Sequence, residues 1–582
     1  MTGIGFAQNT VSGTVVDSEV GVGLPGASVV VKGTSVGVSS DFNGDFSISA
    51  ESGDILVISY VGYESAEISV DDSNAIIIGL SPEDNILSGV TVFGTIDFAK
   101  DRETPVAAST LNAEQIVERV GNLELPQLLN STPGVYSTMQ GAFGDARVRL
   151  RGFQQENIAV LINGMPVNDM ENGRVFWSNW AGLTDVVSAM QVQRGLGSSP
   201  LPISSVGGTI NIVTKSTELS EGGKVSVRVG NDNYLKTVAN YNTGKMDNGS
   251  AFSVLFSRTA GDGYVNGTEF EAYSYFLGYG KESDDGKSNI QFIVTGAPQI
   301  HGHRYRSFYN QGLLQQFKDY GIKYNYNHGM LDGESFNMRN NFYHKPIASL
   351  NWEFKPNNKT TLSSTLYASV GRGGGTGPRG RNYYESSIDM LPFRKDLTEH
   401  YLENGKGTRN ADGTINYDAV VAHNSQYQVG SHNDKTYARD VLVRRASMNS
   451  HNWIGAISKL NIQKGNMRYS LGIDLRDYTG YHYRAMNDLL GLQQYASTGN
   501  RNLGTQLYDS SDLVTAKPFR NTNIDDDQAK IAYYNIGFVK WAGVNGLVEY
   551  AGDNITAVVQ AGLFPIIPVS YTHLTLPTSD LV

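Results

Sequence analysis

From Glu221 onward the chain alternates apolar and polar residues in stretches of roughly ten, and the gaps between those stretches themselves alternate in length. Strand-like stretches fall near 224–230, 233–243, 250–259, 270–281, 288–296, 346–355, 360–370, 450–463 and 467–479, with weaker ones near 530–551 and 554–563. The gaps 245–249, 283–287, 356–359 and 464–466 are tight turns, whereas 259–270, 297–345, 371–449 and 480–529 are long, polar and rich in Gly, Tyr and Asn. A soluble sandwich has no reason to sort its loops by side. A β-barrel in an outer membrane does, because its turns are short on the periplasmic face and long outside. Composition agrees. Mean hydropathy is only −0.29, and no run reaches the ~18 apolar residues of a spanning helix, as expected when apolar residues occupy every second strand position.

The 582 residues leave room for several domains before that barrel. Residues 11–80 are dense in Val, Ile, Ser and Gly, with short alternating runs such as Ile55-Leu56-Val57-Ile58-Ser59, and predict a small β-sandwich. Asn43-Gly44 between two such runs predicts a hairpin turn. Residues 81–104 change register into a linker carrying one short strand, 86–94. Two short helices are expected over 111–119 and 125–129, starting near Asn112 and Glu124 and ended by Pro133-Gly134. The strands Arg147-Val148-Arg149-Leu150-Arg151, Ile158-Ala159-Val160-Leu161-Ile162, Met190-Gln191-Val192-Gln193 and Thr209-Ile210-Asn211-Ile212-Val213 complete a compact α+β domain over 105–216. Residues 1–10 contain Gly5-Phe6-Ala7, the small-x-small form of a cleavage site, and are expected to be the residue of an export signal.

These residues resemble the TonB-dependent outer-membrane receptors of Bacteroidetes-type bacteria over nearly the whole chain. Val11-Ser12-Gly13-Thr14-Val15, Leu24-Pro25-Gly26-Ala27, Gly44-Asp45-Phe46 and Ser59-Tyr60-Val61-Gly62-Tyr63 resemble a carboxypeptidase-regulatory-like domain. Pro133-Gly134-Val135, Arg149-Leu150-Arg151-Gly152-Phe153, Leu161-Ile162-Asn163-Gly164-Met165-Pro166, Val192-Gln193-Arg194-Gly195 and Gly207-Gly208-Thr209 resemble, in order and spacing, a plug domain. The resemblance implies a mainly β chain: an N-terminal β-sandwich, an α+β plug, then the first half of a roughly 22-stranded transmembrane antiparallel β-barrel over 221–568. It implies a cell outer-membrane location, transport without catalysis, no cofactor and no resident metal. The partners implied are a TonB-type energy-coupling protein, an extracellular ligand, outer-membrane lipid and a surface lipoprotein. A siderophore or other metal chelate is favoured as ligand, with an oligosaccharide or peptide, or a surface adhesin without transport, as alternatives. Val90, Thr91, Val92 and Phe93 resemble the coupling box, without its customary preceding acid, and Gln191 stands where the family carries an acid. Residues 569–578 can be encoded by DNA resembling a sequencing-library adapter, so 569–582 is expected to be non-native.

The chemistry-bearing residues follow from this frame. The apex of the plug is expected at 168–180, where Asn168, Asn172, Arg174, Trp177, Asn179 and Trp180 could stack on and hydrogen-bond a ligand, or pack the plug against the barrel wall. Arg149, Arg151, Gly152, Arg194, Gly195, Gly207 and Gly208 are expected to be structural. Gly375-Thr376-Gly377-Pro378-Arg379-Gly380 matches a dinucleotide fingerprint but lacks a βαβ unit, so a flexible external loop is expected. His400 and Glu403 have the spacing of a zinc peptidase site without a third ligand, and His301-Gly302-His303 reads as surface polarity. With no Cys and a net charge of −11, disulfides, thiolate metal sites and a broad nucleic-acid surface are excluded.

Overall fold

The computed structural model describes residues 10–18, 21–34, 36–60, 63, 65–70, 76–81, 107–112, 115–116, 119, 121, 123–139, 143–144, 146–195, 206–214, 221–304, 317–379, 410–426, 441–497, 506–518, 529–552, 555–563 and 566–572. They fall in two compact units, Met1–Thr91 and Val92–Val582. In the first, strict alternation buries Leu56 and Ile58 against Val15, Val29, Ile48 and Ile78. Two sheets supply that core: Asp45–Ser49, Thr10–Asp17 and Ile76–Leu80 in one, Gly37–Ser39, Ser28–Val31, Ile55–Ser59 and Ala66–Ser69 in the other. The Asn43-Gly44 turn is not a hairpin, because the strands flanking it belong to different sheets. It is built instead on Asp41, whose Oδ1 accepts the N–H of Asn43 at 2.8 Å and of Asp45 at 2.9 Å, with Gly44 at φ +86°.

The second unit begins with the α+β region. Glu124 and Gln127 form a reciprocal capping box on the helix Leu125–Leu128, and Asn112 accepts the Gln115 N–H at 2.9 Å. Leu111 and Asn112 themselves end the strand Ala107–Asn112, so the first helical turn starts later than its apolar spacing suggested. A five-stranded sheet runs Met165–Pro166, Ile158–Ile162, Gly208–Thr214, Val187–Arg194, Ala107–Asn112. Ile158–Ile162 and Gly208–Thr214 pair in parallel and are buried throughout, which is why they read as unbroken apolar runs. A smaller sheet, Phe153–Gln154, Ala146–Leu150 and Val135–Met139, is tied to it by Arg194, which donates to the carbonyls of Pro133 and Ala108 at 3.2 Å each. Arg151 and Gly152, at φ +53° and +85°, make the turn after the strand that carries Arg149, and the Arg151 guanidinium lies against Gly195.

Most of the rest of the unit is one antiparallel sheet. Its main path has eleven strands among the described residues, each paired with its sequence neighbour on that path: Gly222–Val229, Leu235–Asn242, Ser250–Gly261, Phe270–Glu282, Ser288–Gly296, Ile347–Asn357, Thr360–Arg379, Val443–Lys464, Met467–Asp488, Lys530–Ala551 and Thr556–Leu563, with Ile566–Thr572 continuing beside Lys530–Ala551. The outer face is apolar, with Phe252, Phe292, Leu366, Ile454, Leu471 and Leu475 exposed, while Ser257, Gln291, Asn351, Thr365, Asp474 and Asn545 are buried on the inner face. Among the described residues no helix is long and apolar enough to cross a membrane. Polarity turned inside out in this way is the mark of a lipid-facing barrel wall.

Three strands run farther than expected. Thr360–Arg379 takes in the Gly375-Thr376-Gly377-Pro378-Arg379 segment, which is therefore paired strand rather than flexible loop. Val443–Lys464 and Met467–Asp488 each hold 22 residues. Strands of that length rise tens of ångströms beyond an apolar band of about 25 Å. The outer face shows where lipid contact ends, since Asp477 and Lys540 form an exposed ion pair at 3.7 Å just beyond Leu475. His301 is buried rather than on the surface, its Nδ1 2.6 Å from Gln299 Oε1 and its Nε2 3.0 Å from His303 Nε2. Residues 81–104 apart from Ser81, including Val90 to Phe93, and His400 and Glu403 lie outside the described residues.

Candidate ligand-binding site

Between Met165–Pro166 and Val187–Arg194 the chain leaves the five-stranded sheet in a long excursion that meets the inner face of the large sheet. Its root is Asn168. The buried Asn168 amide accepts the Val160 N–H at 2.8 Å and donates to the carbonyls of Ile158 and Gly173 at 2.9 Å each. Asp169 then folds the tip, its Oδ1 accepting the N–H groups of Glu171 and Asn172 at 3.0 Å each. Arg174 is held by Glu156 at 2.7 Å. Trp177 and Trp180 are buried in one core with Ile347, Tyr367, Trp453 and Tyr478 of the wall, and Tyr367 and Tyr478 each stand edge-on to Trp453. Of the six apex candidates, the structure places Asn172 and Asn179 on a polar cavity and Trp177 and Trp180 on an aromatic one, buries Asn168 at the root of the loop, and leaves Arg174 exposed in its ion pair with Glu156.

Glu171 makes the direct tie to the wall. Its carboxylate meets His482 Nε2 at 2.6 Å, and His482 Nδ1 lies 2.9 Å from Asn449 Oδ1. Gly480 and Gly537 make room for it, because a Cβ on either would fall 2.8 or 2.2 Å from Glu171 Oε1. His482 stands five positions past Asp477, beyond the lipid-facing band, and the hydrogen bond to Glu171 raises its pKa above the ordinary 6.5 despite burial. A raised histidine stabilises the contact fully below its unbound pKa and loses that contribution as pH climbs through the raised value. Apex-loop amides, with exchange corrected for its intrinsic base-catalysed rise, are therefore expected to lose protection as pH climbs above the ordinary histidine value of 6.5, and that loss to disappear in His482→Gln. A His482→Gln profile identical to wild type would show that another group governs the loop.

Beside this tie lies a cavity of about 180 Å³, bounded by Asp169, Asn172, Phe176 and Asn179 of the loop and by Tyr343, Lys345, His451 and Tyr478 of the wall. His451 bridges Tyr343 Oη at 3.0 Å and Ser369 Oγ at 3.3 Å. Burial first, then the charges of Lys345, Arg372 and His482, push its pKa well below the usual value, so the ring is a neutral hydrogen-bonding group. A second cavity, about 480 Å³, opens on the other side of Trp180 among Phe143, Tyr234, Tyr264 and Phe270. The arrangement offers donors, acceptors and ring faces, and among the described residues no group of three or more His, Asp or Glu could hold a metal ion.

Two family models match this chain: a CarboxypepD_reg-like domain over residues 11–92 and a TonB-dependent Receptor Plug Domain over 100–209. Residues 100–209 thus carry the plug domain of TonB-dependent receptors. TonB-dependent receptor P26 of Formosa agariphila is 38% identical over 147 residues, 24% of this chain and 14% of that protein. TonB-dependent receptor SusC of Bacteroides thetaiotaomicron is 28% identical over 244 residues, 40% of this chain and 24% of that one. The matched segments thus span a quarter or less of these relatives' lengths. Among solved structures, the FpvAI–pyocin S2 complex superposes with a TM-score of 0.53 at 12% identity, over 96% of this chain and 64% of that one, a likeness of fold. The polar inner and apolar outer faces of the sheet fit a barrel wall in an outer membrane.

Glu171, His482, Lys345 and His451 were not singled out from sequence. Glu171 and His482 are 311 positions apart, and no local pattern signals a contact of that range. A local hint was the pair of strand glycines Gly480 and Gly537, although the same strands also carry Gly472, Gly543 and Gly546.

Proposed function

We propose that this TonB-dependent receptor captures an extracellular ligand at the apex cavity and imports it to the periplasm, using proton-motive force transmitted by a TonB-type partner. The observation that supports this reading is the Glu171–His482 tie beside the cavity, a contact that a ligand entering from outside can reach and a pull on the plug can break. Residues 11–80 form an accessory sandwich, 81–104 a linker, and 221–568 the wall lining the path. The ligand favoured is a siderophore or other metal chelate, with the neutral His451 and the buried phenol of Tyr343 as hydrogen-bonding contacts. An oligosaccharide is the second reading, supported by the half-exposed Phe176 ring beside the amides of Asn172 and Asn179, an arrangement suited to a sugar face. A surface lipoprotein is a further partner for either ligand.

The coupling segment is proposed to be Val90, Thr91, Val92 and Phe93, joining the partner's sheet as an added strand through backbone hydrogen bonds. Deleting these four residues in the receptor in its native membrane is expected to abolish uptake while leaving ligand capture at wild-type affinity. Uptake that continues unchanged would refute the transport mechanism and leave a surface adhesin.

A further inference from the structure

Among the groups bounding the apex cavity, Lys345 stands out because no oxygen among the described residues accepts from its ammonium. Its side chain is 6% exposed. It makes no hydrogen bond or ion pair with the described residues, and its Nζ lies 5.2 Å from the Trp453 ring and 5.8 Å from the Trp180 ring. Ring faces attract an ammonium but accept none of its three N–H donors in the way an oxygen does. Asp169 is the nearest carboxylate that acts on it, yet no ion pair forms, since Asp169 Oδ1 is committed to the apex turn. Lys345 also precedes the strand Ile347–Asn357 and lies at the outer end of the wall.

The other charged groups near the cavity already have hydrogen-bonding partners. Glu171 and His482 satisfy each other, and Arg372 donates to the carbonyls of Gly371 and His451 and to Asn452 Oδ1. Of these cations Lys345 alone has no oxygen acceptor among the described residues. A buried charge without a partner is costly, and a cavity of about 180 Å³ holds a single sugar-sized or smaller group. Resting on the reading that this cavity is the ligand site, we propose that Lys345 is the anchor for one carboxylate of the ligand, with Tyr343, Asn172 and Asn179 addressing the oxygens beside it. The selected ligand is thus a carboxylate-bearing molecule, either an acidic sugar or a carboxylate chelate, rather than a neutral one.

The test uses the full chain in detergent micelles and its own tryptophans, two of which flank Lys345, as the reporter. Glucuronate, glucose, citrate and phosphate are titrated separately. Glucuronate or citrate is expected to bind at least ~10-fold more tightly than glucose, and that preference to vanish in Lys345→Met and persist in Lys345→Arg, whose folding is checked by strand circular dichroism. Glucuronate ahead of citrate identifies an acidic sugar, and the reverse a chelate. Burial lowers the Lys345 pKa to about 8, so the preference should also fade between pH 7 and pH 10. Equal binding of glucose and glucuronate, phosphate ahead of both carboxylates, or no response to any probe overturns the proposal. Filling the cavity with Asn172→Trp separates the two levels: if it abolishes glucose and glucuronate binding alike while Lys345→Met changes neither, the site stands and the carboxylate anchor falls. If neither substitution matters, both fall.

Discussion

Replacing Gly208 by valine is expected to leave the plug unfolded while the N-terminal sandwich remains intact. Gly208 opens the central strand Gly208–Thr214, with neighbours paired on both sides. Its φ is +137°, a backbone state closed to side chains, and a Cβ there would lie 2.2 Å from the Gln193 carbonyl oxygen and 2.5 Å from Leu150 Cδ2. Gly207 is nearly as confined, 2.8 Å from Phe153 Cβ. Neither neighbour can yield, because Gln193 is in a paired strand and Leu150 in the core. Strain and overpacking together cost about 4 kcal/mol or more, a large fraction of a domain's stability. Gly152 is the matched control: it also has positive φ, at +85°, but no atom lies within 4 Å of its Cβ position, so Gly152→Asn should cost less than about 1 kcal/mol. Limited proteolysis of the plug against denaturant compares the two, and a Gly208→Val plug as resistant as wild type would disprove the packing argument.

The second large effect is expected at Lys236. Asp185, on the plug, and Lys236, on the strand Leu235–Asn242, form an ion pair at 2.7 Å with both side chains buried, and Arg228 approaches the same carboxylate at 3.8 Å. Removing one partner from a buried pair strands the other charge, which costs more than the pair contributes. Lys236→Met should therefore loosen the plug from the wall by about 3 kcal/mol, Arg228 compensating for the remainder. Adding Asp185→Leu should restore most of the loss, since two apolar groups leave no charge unpaired. The midpoint of chemical unfolding of the plug reads both. A single variant that unfolds with wild type, or a double variant no better than the single, would show that the pair carries no weight.

What could be read from the sequence tracks where solvent contrast writes a pattern. Met467 to Leu475 alternates because one face meets lipid and the other the interior, so the strand and its turn at Gly465-Asn466 were legible. From Tyr478 to Asp488 the strand continues where both faces are polar or packed on loops, and the pattern fades although the ladder does not. The same loss hid the strand character of Gly373 to Gly377, whose glycines suggest a loop but bring Phe342, Tyr343 and Met448 close on either side. The site was half legible. The loop over 168–180 stood out in the sequence, but the wall residues it meets come from strands near 343, 451 and 482, brought together by register alone.

Because every strand on the main path pairs with the one before it, the wall can be laid down in the order in which the chain is made. On that timetable two of the ties between plug and wall form at different moments. Asp185 meets Lys236 when only the second strand is in place, whereas Glu171 must wait for the ninth and tenth, which carry His482 and Gly537. The early tie is buried and permanent in character. The late one is partly open to solvent and titratable, so the bond made last in assembly is also the one most easily undone in use.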